Sequence, residues 1–112
     1  LGEQRAGYRY AEGKWSVKEV VGHIADAERI FAVRALAAAR GDTATLPGFD
    51  ENAYVATAGF DARSLNSLLG ELTAVRRATL ALFRSFDEAA LARTVNANGR
   101  PVSARALAWI VA

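Results

Sequence analysis

The segment Trp15-Ser16-Val17-Lys18-Glu19 marks the start of a helix. Ser16 can accept from the backbone N–H three residues on, and Glu19 can reach back to the N–H of Ser16. This S-x-x-E arrangement satisfies two donors that a helix start otherwise leaves orphaned. Apolar residues then recur at Val17, Val20, Val21, Ile24, Ala27, Phe31, Ala35 and Ala38, at the three- and four-residue spacing of one helical face. Arg40-Gly41 supplies a basic last turn and a glycine for the residue after the helix. The pattern predicts a helix over 16–40.

Beyond it, Gly41, Asp42, Pro47, Gly48 and Gly59 interrupt the period. The spacing predicts only a short helix over 50–57, anchored by Phe49, Tyr54 and Val55. A connection this long lets the chain cross the end of a bundle. A second long helix is predicted over 62–86, capped by Asp61 or Ser64, with Leu65, Leu68, Leu72, Val75, Leu82 and Phe83 on its apolar face. Asp87 is expected to cap a short turn through Leu91. Asn98-Gly99 and Pro101 predict a loop or small hairpin over 94–102, and Ser103 caps a final apolar helix. Val20, Ile24 and Phe31 are expected to be buried together with those six residues of the second helix.

Alanine and leucine dominate and only two prolines occur, so the composition also leans helical. With 112 residues, 52% of them hydrophobic and 23% charged, residues 1–112 read as one domain with its own core. The formal net charge of +2 is not concentrated in any basic run, which argues against nucleic acid as a partner. No stretch reaches the ~18 apolar residues of a membrane helix. No cysteine is present, which excludes thiolate sites and a cysteine nucleophile. In default of any targeting signal the protein is read as cytoplasmic. Leu1 is not an initiator methionine, and the run from Ala104 stops at Ala112 without a polar end, so the chain is expected to be cut at both ends.

Little chemistry is visible from motifs alone. There is no phosphate-binding glycine loop and no nucleophile elbow. His23 is the one histidine. It sits beside the apolar stripe with Val20 and Ala27 on its flank, and Asp26 at i+3 is placed to orient its ring. On spacing alone, such a histidine is more often a hydrogen-bonded core residue than a ligand. Glu19 is explained by the cap. Asp26 and Glu28 read as solvated, or as paired with Arg29 and Arg34 along the helix. Trp15 reads as a packing residue just ahead of the cap.

The stretch YRYAEGKWSVKEVVGHIADAERIFAVRAL, from Tyr8 to Leu36, resembles the signature of the DinB/YfiT-like superfamily. That family's second helix opens on a Trp-Ser cap and carries G-H-x-x-x-x-E. The likeness continues in LPGFDENAYV from Leu46 and NGRPVSARALAWIVA from Asn98. The resemblance implies an all-α four-helix bundle, with the family's first helix and the end of its last helix missing from this chain. It also implies a divalent metal (Zn, Ni, Mn or Fe) held by three histidines. His23 matches the ligand from the second helix. The other two form an H-x-x-x-H pair expected after Ala112. In this light His23 becomes a metal ligand with Asp26 behind it.

A metal with open positions activates a bound thiol or water. The resemblance therefore implies a thiol-dependent S-transferase or isomerase, or a hydrolase, acting on a small molecule together with a low-molecular-weight thiol. Tyr54, from the loop at 42–58, is the expected pocket residue. The alternative is a non-catalytic, homodimeric stress-response or binding module whose metal is structural or vestigial.

Overall fold

Ser16 caps helix α2 (Val17–Ala39) as predicted: its hydroxyl accepts from the Glu19 N–H, and the Glu19 carboxylate accepts from the Ser16 N–H at 3.0 Å. Gly41 follows the helix with φ +74°, in the left-handed region that glycine enters without strain. This computed structural model describes residues 2–111. Leu1 and Ala112, on which the expected cuts rest, lie outside the described residues.

The remaining helices are α1 (Glu3–Ala6), α3 (Glu51–Ala58), α4 (Leu65–Arg84), α5 (Glu88–Ala92) and α6 (Ala104–Val111). Each of α3 to α6 begins on a side-chain cap, in turn Asp50, Ser64, Asp87 and Ser103. Ser64, not Asp61, is thus the cap of α4. Asp61 instead accepts the Ser16 hydroxyl at 2.5 Å, and Arg9 bridges Asp61 and Glu19. Glu3 accepts from the first N–H of α4, which holds α1 against it.

The all-α expectation needs a correction. The predicted hairpin forms, as β2 (Thr94–Ala97) and β3 (Arg100–Ser103), turned by Asn98 and Gly99, both at positive φ. A third strand, β1 (Thr45–Leu46), adds to it in parallel, with Thr45 opposite Asn96 and Leu46 opposite Ala97. The structure is mostly helical, with a small three-stranded sheet. Two residues of strand carry no periodic signal, so only the tertiary structure reveals this pairing.

The core is also rotated from its expected place. Leu65, Leu68 and Val75 are buried as predicted, while Phe31, Leu72, Leu82 and Phe83 are half-buried. Val20 and Ile24 are exposed, at 41% and 43% of their surface. The face of α2 that packs is Gly22, Ala25, Glu28, Ala35, Ala38 and Ala39. At about 100° per residue, Ile24 lies roughly a quarter turn from Ala25, outside the contact. Small residues win this face because they let backbones approach closely. At Gly22 an added Cβ would stand 2.5 Å from the Phe60 ring. One cluster joins the C-terminal half of α2 to Phe86, Val95 and Leu107. Another packs Val55, Phe60 and Leu68 under Trp15 and Val21.

Candidate metal centre

His23 lies in the second turn of α2, on the flank that faces α3 and the end of α6. The capping box sets that placement by fixing where the helix begins. The ring packs against Trp15, with centroids 4.8 Å apart and planes tilted by 48°. Its Nε2 stands 3.7 Å from Oε2 of Glu51, in the first turn of α3. That distance is too long for a hydrogen bond. The side chain is 21% exposed. Among the described residues neither ring nitrogen is hydrogen-bonded, so each can turn a lone pair or a proton to an incoming group.

The ring opens on a pocket of about 190 Å³ shared with Ile24, Glu28, Phe31, Arg76 and Ile110. The pocket thus lies between α2 and α6. Glu28 was expected in solvent or paired along its own helix. It is instead 2% exposed and bound across the bundle to Arg76 of α4, whose Nε lies 3.0 Å and Nη2 2.7 Å from its Oε1. Arg76 Nη2 also donates to the Val111 carbonyl of α6 at 2.9 Å. One guanidinium therefore ties three helices together beside His23. The hydrogen bonds that Arg76 donates to Glu28 raise its already high pKa, so it stays charged.

Two other expectations are corrected. Asp26 does not hold the His23 ring; the carboxylate in contact with it is Glu51. Burial pushes the Asp26 carboxyl above the usual carboxylate range, against the opposing pull of Arg29. Tyr54 packs on Phe49, with ring centroids 5.4 Å apart, and lines a different groove with Arg29 and Val33. Of the side chains on α3, Glu51 in the first turn is the one in contact with His23, while Tyr54 is taken up by Phe49 and its own groove.

The fit to a metal can be read from the donors. His23 is a suitable ligand: half-buried, oriented by Trp15, with free ring nitrogens. Among the described residues, however, no group of three or more His, Cys, Asp or Glu side chains converges. Glu28 is already bound to Arg76. The described residues alone therefore do not make a metal site, which needs three or four ligands.

A family model for the DinB superfamily matches residues 1–112. Among solved structures, the chain is similar to YfiT from Bacillus subtilis, with a TM-score of 0.80 and 20% identity over 99% of this chain and 65% of that one. The chain thus spans just under two thirds of that relative's length. YfiT is described as a probable metal-dependent hydrolase with an unusual four-helix bundle topology. At this identity the likeness establishes the fold alone. The search of curated proteins finds no match. With the family model matching from end to end, the chain belongs to the DinB superfamily.

Proposed function

We propose that this protein is a DinB-type, divalent-metal-dependent enzyme of the hydrolase or thiol-dependent transferase class, with His23 as the ligand from α2. The observation that carries the reading is the half-buried His23 ring, free of hydrogen bonds, on the pocket between α2 and α6. The proposal requires further ligands from outside the described residues. Within the chain, Trp15 and Glu51 hold the ring in place, and the Glu28–Arg76 pair fixes the end of α6 opposite it. The substrate in this reading is a small molecule, joined by a low-molecular-weight thiol in the transferase case, and the assembly is a homodimer.

The test is elemental analysis of the full-length protein after dialysis, beside a His23→Ala variant. Near-stoichiometric metal in the parent and loss in the variant is the expected result. Equal metal content in both would remove His23 from the site. The lack of a converging donor set among the described residues favours one second reading, a binding module without catalysis. Absence of metal from both proteins would support it.

A further inference from the structure

A larger cleft, of about 610 Å³, is lined by Trp15 but not by His23. Its size falls in the range of small-molecule pockets. Its walls include Tyr8, Tyr10, Lys14, Trp15, Val20 and Glu51. The aromatic residues come from the segment that leads into α2. That segment is held in place: the Tyr8 carbonyl accepts the Val17 N–H at 3.1 Å, and Gly13 turns the chain with φ +78°. Tyr8 and Tyr10 are nevertheless more than half exposed. Neighbouring exposed rings on an ordered segment are a common mark of a binding surface.

The charges decide what such a surface would take. The neighbouring cations are already committed, Arg9 to Glu19 and Asp61, and Lys18 to Glu3 at 3.7 Å. Lys14 has no carboxylate partner among the described residues, and its amine lies 5.9 Å from the centre of the Tyr10 ring. Aromatic trios also form cages for cations. Here Lys14 already lies over the Tyr10 ring and would repel a second positive charge. Glu51, the carboxylate of the cleft, faces His23.

We propose that the cleft of Tyr8, Tyr10, Trp15 and Lys14 binds a small planar organic anion, its ring among the aromatic side chains and its acid group at Lys14. This rests on the reading of His23 as a metal ligand and adds a substrate class to it, since Trp15 and Glu51 contact both cleft and ring. Binding itself needs no metal, so the two claims can fail separately.

Benzoate is the probe, with benzyltrimethylammonium as its cationic counterpart, each titrated into the protein while the indole N–H signals of Trp15 and Trp109 are followed by NMR. Benzoate should shift Trp15 saturably, leave the exposed Trp109 unmoved, and bind more tightly than the cation. Lys14→Gln, at an exposed position, should weaken benzoate about five-fold. Tyr10→Leu should weaken it as well. The proposal is overturned by a Trp15 shift that does not saturate up to about 10 mM. It is equally overturned by tighter binding of the cation, or by unchanged benzoate binding in Lys14→Gln. Metal content is measured on the same samples. In the parent protein, bound metal without saturable benzoate binding refutes the cleft alone, and benzoate binding without metal refutes the metal reading alone.

Discussion

Removing Arg76 isolates the most consequential contact of the bundle. Glu28 is 2% exposed and receives two nitrogens of Arg76, while the Arg76 side chain is 44% exposed. Stripping one partner from a fully buried ion pair costs about 3–5 kcal/mol, because the other charge is left without solvent or counterion. Here water already reaches the guanidinium and would follow the cavity to Glu28. The expected cost of Arg76→Ala is therefore about 2–3 kcal/mol. In a Glu28→Gln background the same change removes hydrogen bonds from the guanidinium to uncharged oxygens and leaves no buried charge behind, so it should cost less, about 1 kcal/mol. The difference is the coupling between the two side chains. Urea unfolding followed by circular dichroism reads all four proteins, with the midpoint moving and the slope constant. A cost below about 0.5 kcal/mol for Arg76→Ala, or an equal cost in both backgrounds, would refute the reasoning that Glu28 depends on Arg76.

Ser16→Ala should cost about 1–2 kcal/mol in a chemical denaturation experiment, through loss of the cap and of the bond to Asp61; an unchanged midpoint would mean that the capping box contributes nothing. Gly22→Ala should destabilise by about 1–2 kcal/mol, since overpacking against the buried Phe60 ring outweighs the helix preference of alanine; a higher melting temperature would contradict the close packing. Hydrogen bonds from Arg29 and Arg63 hold the Glu71 carboxyl below its ordinary value of 4.5. A lowered carboxyl adds stability that is complete above its unfolded pKa and is lost as pH falls through the native one. The parent should thus exceed Glu71→Gln by about 0.5–1 kcal/mol at pH 6, and the gap should shrink as the pH falls below the ordinary value of 4.5 and through the lowered native one; a gap that widens on acidification would reverse the assignment.

Local chemistry made much of this fold legible. The caps at Ser16, Ser64, Asp87 and Ser103 and the Asn98-Gly99 turn are written in a few adjacent residues, and each appears where the sequence puts it. The packing face of α2 was harder. Large apolar residues mark a face in a hydropathy pattern, whereas this helix packs through glycine and alanine and leaves Val20 and Ile24 outside. At the site, His23 could be found from the family signature, but its neighbours could not. Arg76 is far along the chain from Glu28, and Glu51 belongs to another helix. One signal for Glu28 was available. It falls on the same helical line as Ala25 and Ala35, and a charge on a buried line requires a partner elsewhere.

The two-residue strand β1 has a kinetic consequence. Thr45 meets Asn96 only after the chain has passed through α3, α4 and α5, so the local hairpin of β2 and β3 can form while β1 is still undocked. With so short a ladder, this edge is expected to close last in folding and open first in the native state. The amide of Asn98, which donates to the Leu46 carbonyl at 2.9 Å, is then a clock for that opening. In hydrogen exchange it should lose its proton well before the amides in the middle of α2. Each such opening would also free the segment ahead of α3, and with it the tether that keeps Glu51 beside His23.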